Sequence, residues 1–366
     1  MNAKYYKVHV ILRQCAIMRR RFTLPFRLLS SGFLQSETYF PELPRKKKST
    51  IFRELFMHIM RYGSIEWHYF SYGLDIKGFR DKADYLDDNW FMWKSFIMNC
   101  VLADQDKTCI LRDKGLFSDC LSAWGFPSPD VVGTMDGNES DRTILNQILE
   151  TPGDYFIKPT DGQCGQHIIK LAVSDSGIQV NNTSTTKDDA LASILSRLKR
   201  HNSLVQKKVE QHPDLNRIYP HSINTIRLVT ILDRKRNEII PFSAVLRVGA
   251  NGNVVDNWAA GGLAIGVDIE TGQLNEYGFY KHGKGTKTLR HPETDFLFKG
   301  FTIPYFQEAV SQAVKLHRHL LPLFVIGWDI AVTPTGILFI EGNDNLEISI
   351  NQETNGGLKK AFLKLC

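Results

Sequence analysis

Apolar positions along the chain recur with helical spacing in some stretches and with strand spacing in others. Up to residue 105 they are rich in aromatics, with Phe52, Phe56, Tyr62, Trp67, Tyr69, Phe70 and Tyr72, then Trp90-Phe91-Met92-Trp93. Residues 51–60 and 90–98 read as amphipathic or buried helices. From 106 the texture changes. Lys114 opens a helical stretch that reaches Gly125 and is stopped by Pro127 and Pro129. Tyr155–Lys158 and His167–Leu171 read as two strands around the turn Pro159-Thr160-Asp161-Gly162-Gln163-Cys164-Gly165-Gln166. Leu191, Ile194, Leu195 and Leu198 mark a helix over 188–200. Leu204–Val209, Asn224–Leu232 and Ile239–Arg247 read as strands, the last two joined by a charged turn over 233–238. A small-residue loop covers 256–262, and Phe306, Val310, Ala313 and Val314 mark another helix. Val325–Val332 and Ile337–Glu341 flank a Pro-Thr-Gly turn. Antiparallel hairpins with helices between them predict an α+β protein, in three sections: 1–105, mainly helical, basic and aromatic-rich; 106–202; and 203–366.

A length of 366 residues supports two or three subdomains with their own cores, and 43% hydrophobic with 23% charged residues is the composition of a folded chain. The longest apolar run, Leu320–Val332, is broken by Pro322, Gly327 and Asp329, so no segment reaches the roughly 18–20 apolar residues that span a bilayer. No apolar core with a small-residue cleavage site follows Arg19-Arg20-Arg21, so no secretory signal is expected. The six cysteines form no C-x-x-C spacing, which predicts reduced thiols in a cytoplasmic protein and no zinc site. Net charge is +6, with basic runs at Arg19–Arg21 and Arg45–Lys48. These are solvated faces or contacts to an anionic partner; the alternative carried forward is peripheral contact with the inner membrane face through the basic N-terminus. No nucleic-acid-binding pattern is present.

The closing hairpin carries the most specific chemistry. Asp329 interrupts an apolar strand, and Glu341 and Asn343 lie at i and i+2 of the returning strand, on one face. Two carboxylates and an amide oxygen suit magnesium, and buried acids need a compensating cation. The plainer reading is a turn cap and a surface ion pair. Lys158 ends an apolar strand beside a turn whose Gly162 and Gly165 allow backbone N–H groups to approach phosphate, or which is only a hairpin tip. Lys114, at a helix start, is a second candidate phosphate cation or a solvated lysine. Arg227 and Arg247 lie on two strands of one hairpin, either orienting a phosphate or acid or forming a structural ion pair. His212, His221 and Lys170 read as surface or hydrogen-bonding residues.

In this order the motifs resemble the ATP-grasp superfamily, and within it the sugar-transfer-associated ATP-grasp group, often described as related to α-L-glutamate ligases. The resemblance spans about 105–350, and Tyr69-Phe70-Ser71-Tyr72-Gly73-Leu74-Asp75 also looks like that group. Asp113-Lys114-Gly115-Leu116-Phe117, followed by Gly125-Phe126-Pro127-Ser128-Pro129, is similar to the first nucleotide-binding lysine and its turn. Phe156-Ile157-Lys158-Pro159 with its glycine turn is similar to the second lysine and a phosphate lid. Leu204-Val205-Gln206-Lys207-Lys208-Val209 stands where the family has its adenine hinge. This implies nucleotide contacts from Gln206, from the backbone of Lys208 and Val209, and from Glu210 or Gln211 at the ribose. Ser222-Ile223-Asn224-Thr225-Ile226-Arg227 resembles the group's own signature. Gly327-Trp328-Asp329-Ile330 and Ile340-Glu341-Gly342-Asn343 resemble the metal hairpin.

The resemblance implies two α+β subdomains clamping ATP between antiparallel sheets, with a helical N-terminal section. It implies ATP and Mg2+, and formation of an amide through an acyl phosphate. The substrates would be a small-molecule or glycan-linked carboxylate and an amine acceptor, in cell-surface glycan or peptide-like metabolite biosynthesis. A homodimer is common among relatives. The alternatives are a phosphotransferase acting on a sugar or polyol, and a non-catalytic ATP-binding partner of a polysaccharide-assembly complex. One departure stands out. Many peptide-type relatives carry an arginine two residues before the metal aspartate, where this chain has Gly327; Arg227 or Arg247 is the expected substitute. The loop Asn257-Trp258-Ala259-Ala260-Gly261-Gly262 is expected to line the acceptor site, its small residues admitting a substrate to the backbone.

Overall fold

The computed structural model describes residues 3–101, 105–136, 138–160, 168–198, 202–253 and 255–365. The N-terminal section is helical: α1 (Ala3–Ser30), α2 (Lys48–Tyr62) and α3 (Asp88–Phe96), the last continued by a π-helical turn, Ile97–Val101. Helix α2 ends at Gly63, which takes φ 66° and sits so close to α1 that an added Cβ would lie 2.9 Å from the Ile17 Cα. Helices α4 (Gln105–Arg112) and α5 (Lys114–Trp124) follow. Asp113 caps α5 by accepting from the Leu116 amide at 2.9 Å, and Gly125 ends it at φ 74°.

A six-stranded sheet comes next. Its elements are β1 (Val131–Met135), α6 (Glu139–Glu150), β2 (Gly153–Pro159), β3 (Ile169–Ser174), β4 (Gly177–Val180), β5 (Thr183–Thr185), α7 (Lys187–Leu198) and β6 (Ser203–Lys207). The order is β1-β6-β2-β3-β4-β5, and all its pairs are antiparallel. Alternation along β2 explains its two faces. Tyr155 and Ile157 enter a core with Ile169, Leu171 and Val205 under α6 and α7, leaving Phe156 and Lys158 on the other side.

The seven-stranded sheet is built after α8 (Pro213–Ile218) from β7 (Thr225–Asp233), β8 (Glu238–Val248), β9 (Leu263–Val267), β10 (Leu274–Tyr280), β11 (Lys287–Thr288) and, beyond α9 (Phe306–His319), β12 (Val325–Thr333) and β13 (Gly336–Asn343). The order is β11-β10-β9-β8-β7-β12-β13. One face packs Leu228, Leu246, Ile265, Trp328 and Ile330 against α9. Trp328, fully buried, donates its indole N–H to Thr230 at 2.8 Å, which fixes which residues of β12 face inward and leaves Asp329 on the opposite face. Helices α10 (Ser349–Asn355) and α11 (Lys359–Leu365) close the chain. The N-terminal section packs on this sheet through Leu86, Phe91 and Met98 against Val229 and Phe324, and through Tyr39 and Phe40 against Phe279.

Three expectations shift. Residue 167 and the turn glycines Gly162 and Gly165 lie outside the described residues; β3 is described from Ile169. Strand β6 stops at Lys207, short of Val209, although the Lys208 amide still donates to the Asp154 carbonyl of β2 at 2.8 Å, one step along the same register. The boundary at 202/203 falls one strand early, since β6 pairs with β1 and β2 of the six-stranded sheet.

Candidate active site

Register places the charges. Across β12 and β13 Asp329 faces Glu341, and across β12 and β7 it faces Arg227. Arg227 faces Val245 on β8, and Arg247, two residues on, shares that face. Glu341, Asp329, Arg227 and Arg247 therefore form one row across four strands. Asp329 is saturated: Arg227 Nε lies 2.5 Å from Oδ1, Arg227 Nη2 donates to Oδ2 at 3.1 Å, and Arg247 Nη2 lies 3.1 Å from Oδ2. Burial opposes its ionisation, but the two guanidinium groups hold its carboxyl below the usual range. Burial also opposes charge on Arg247, which Asp256 and Asp329 nevertheless keep firmly protonated. Glu341 is the contrast. Burial and the neighbouring Asp329 push its carboxyl up, and Lys114 Nζ stands 4.0 Å away.

Gly327 explains the missing arginine. A Cβ there would lie 3.5 Å from Arg227 Nη1 and 3.0 Å from Leu346 Cδ1. The Arg227 guanidinium thus already occupies the space beside residue 327, reaching it from the neighbouring strand.

The six-stranded sheet supplies the other wall. Lys158 on β2 donates from Nζ to Gln206 Oε1 at 3.1 Å, across the β2–β6 pair. Burial lowers the Lys158 ammonium to about 8, and Glu341 and Lys114 are the charges acting on it. The Lys114 backbone N–H donates to the Thr160 carbonyl at 3.0 Å, which ties the start of α5 to the end of β2. A concavity on the same sheet is lined by Phe156, Lys170, Ala172, Gln179 and Lys208. Lys170, read from sequence as a surface residue, is thus beside this face. The Lys208 ammonium pairs with Asp154 at 2.9 Å, and its amide donates to the Asp154 carbonyl. Glu210 is exposed; Gln211 accepts from the Asn224 amide at 2.6 Å and donates to the Tyr219 carbonyl, which ties it into the fold.

The donor set suits a hard divalent cation. The two carboxylates face each other, the nearest lysine stands 4.0 Å from Glu341, and the Asn343 amide makes only long contacts of 3.4 and 3.5 Å. Asn343 is held from behind, because Asp344 takes a bidentate fork from Arg112 at 2.6 and 3.2 Å.

The signature around Asn224 divides its labour. Asn224 is fully buried and donates to the Leu215 and Tyr219 carbonyls. The Thr225 hydroxyl donates to Asp256 and accepts from Arg247 at 2.8 and 3.1 Å. Sequence reading missed Asp256. It opens the small-residue loop already singled out, and an acid there next to a strand arginine was the available signal. The loop itself differs from expectation. Trp258 is buried, donates to the Phe279 carbonyl at 3.0 Å and stacks on His68, and a Cβ on Gly262 would meet the Val248 carbonyl at 2.8 Å. Close backbone packing therefore accounts for Gly262, with no substrate needed to explain it. The N-terminal section also holds an unforeseen buried group. His58 Nε2 lies 2.9 Å from Asp87 and 3.8 Å from Glu66, and the Ser64 hydroxyl donates to Asp87 at 2.6 Å.

No curated protein matches the sequence. Solved structures match at low identity and with TM-scores below 0.5. The ADP complex of N5-carboxyaminoimidazole ribonucleotide synthetase matches at 13% identity and TM-score 0.40, over 66% of this chain and 46% of that one. D-alanyl-alanine synthetase A from Vibrio cholerae matches at 11% and 0.43, over 70% and 62%. D-cycloserine synthetase matches at 16% and 0.40, over 70% of each chain. The chain thus spans less than two thirds of the length of the first two. Sequence evidence is firmer, for residues 99–364 match the family described as sugar-transfer associated ATP-grasp. The chain belongs to the sugar-transfer associated ATP-grasp family.

Proposed function

We propose that the chain is an ATP-dependent carboxylate–amine ligase that works through an acyl phosphate. One observation carries this reading. Two lysines and a glutamine from the α5 and six-stranded side converge on the Glu341–Asp329–Arg227–Arg247 row of the other sheet. Such an arrangement suits a polyphosphate: cations stand on one wall and acidic oxygens for a divalent ion on the other.

Asp329, Glu341 and Asn343 would hold magnesium, which when bound neutralises charge on phosphate oxygens. Lys158 and Lys114 would hold the ATP phosphates as point charges, and Gln206 keeps Lys158 aimed. Arg227 and Arg247 fix Asp329 and present their remaining N–H groups to the γ-phosphate or to the substrate acid. A carboxylate oxygen attacks the γ-phosphorus and the bond to ADP breaks. The amine then attacks the acyl carbon, phosphate leaves with the C–O electron pair, and the nitrogen loses its proton. Rate comes from positioning and fixed charge, with no protein nucleophile required. The family name favours a carboxylate carried on, or destined for, a glycan.

The test is incubation with Mg-ATP, hydroxylamine and pools of carboxylic acids, following ADP and hydroxamate mass. Acid-dependent ADP with a hydroxamate is the expected result. ADP without hydroxamate, accompanied by a phosphorylated sugar or polyol, would overturn ligation in favour of phosphotransfer.

A further inference from the structure

Helix α1 carries two apolar stripes, and only one is used by the fold. At ~100° per residue, Ile17, Leu24 and Leu28 lie together on one side. Ile17 and Leu28 are buried and Leu24 is partly so, packing on α2 and its neighbours. On nearly the opposite side, Val8, Ile11, Leu12, Met18, Phe22, Phe26 and Leu29 share an arc of roughly 120°. All seven are exposed; Phe22 is 73% and Phe26 76% accessible. Two phenylalanines so open to water, in one stripe with five other apolar residues, mark a surface made to be covered.

Charge chooses the occupant. The 28 residues of α1 contain Lys4, Lys7, Arg13, Arg19, Arg20, Arg21 and Arg27 and no Asp or Glu. Arg13 and Arg27 rest on Trp93 and Trp67, while Lys7, Arg19, Arg20 and Arg21 are exposed around the stripe. A second copy of this helix would bring like charges together without one acid to offset them. An anionic lipid surface offers the complement: headgroup charge for the basic residues and acyl chains for the stripe. No helix among the described residues is long and apolar enough to cross a membrane. We propose that α1 lies in the plane of an anionic membrane, its Met18–Phe22–Phe26 face inserted at the headgroup boundary, so that the enzyme works on that surface. This inference is independent of the ligase reading.

The experiment is co-sedimentation of the full chain with phosphatidylcholine vesicles and with phosphatidylcholine–phosphatidylserine vesicles, at low and raised salt. The expected result is binding to the anionic vesicles, weakened by salt and reduced about tenfold or more by Phe22→Glu/Phe26→Glu. Arg19→Gln/Arg20→Gln/Arg21→Gln should weaken it similarly and flatten its salt dependence. Both variants alter exposed positions, and an unchanged melting curve would show the fold retained. Absence of binding to the anionic vesicles at low salt would overturn the proposal, as would binding that the phenylalanine pair leaves unchanged. A dimer dissolved by that pair, with no vesicle binding, would assign the face to a second copy instead.

Discussion

On the six-stranded sheet Lys158 meets a neutral amide, whereas on the seven-stranded sheet Arg227 and Arg247 meet carboxylates. Both groups are largely shielded from water, yet burial pushes the lysine down to about 8 while Arg247 stays firmly charged beside Asp256 and Asp329. An ion pair answers its own desolvation; a cation hydrogen-bonded to a neutral amide is less completely compensated. The seven-stranded wall is thus preassembled, and under the proposed function the six-stranded wall would be completed by the ATP phosphates. Glu341 is the exception that links them. It is the acid of the row that faces the lysines, with Lys114 Nζ 4.0 Å away.

That contrast can be broken most directly at Glu341. Glu341→Gln keeps the shape but removes a ligand charge. Turnover should fall roughly a thousandfold in the ADP-release assay. Melting temperature should not fall, because burial and Asp329 already disfavour the ionised form. Full activity would remove Glu341 from the site. Asp329→Asn should do the reverse for stability. It leaves two buried guanidinium groups short of a counter-charge, and the variant should lose about 3 kcal/mol in denaturant titration. A loss within a few tenths of a kcal/mol would show that the arginines are not held by this carboxylate.

How much of this was legible depended on how far apart the partners stand in sequence. The closing hairpin could be read because Asp329, Glu341 and Asn343 lie on neighbouring strands joined by a short turn, and Lys158 because it interrupts an apolar alternation. The Arg227–Asp329 pair joins strands 102 residues apart, and no local pattern announces their register. Asp256 sits in a loop, where periodicity carries no information. The His58, Ser64, Glu66 and Asp87 group draws on a helix, the turn after it and the cap of another helix. The exposed face of α1 was hidden for a different reason: two apolar stripes on one helix nearly cancel in any periodicity count, leaving only the basic run visible.

Lys158→Met tests the other wall. The variant loses the point charge proposed to meet phosphate, so ATP affinity by calorimetry should drop about a hundredfold. Its melting temperature should hold or rise, since the folded protein no longer confines an ammonium group. Unchanged affinity would take this lysine out of the nucleotide site. Reduced affinity with a large loss of stability would make it a structural cation like Arg227.

The smallest effect is the most specific, because its two halves have opposite sign. Burial lowers the Lys158 ammonium to about 8 from an ordinary value of 10.5. Between those values the unfolded chain binds a proton that the folded chain has released, so this group's contribution to stability rises with pH. Below about 8 both states hold the proton, and the folded protein bears the full burden of a buried ammonium. Bound phosphate favours the charged form, so nucleotide binding above pH 8 must first return that proton. ATP affinity should therefore weaken about tenfold from pH 7 to pH 9, while stability gains over the same span. Lys158→Arg, charged throughout, should flatten both curves at once. If the wild-type affinity profile is flat, or if Lys158→Arg retains it, the proton belongs to another group and the asymmetry between the two walls is not electrostatic in origin.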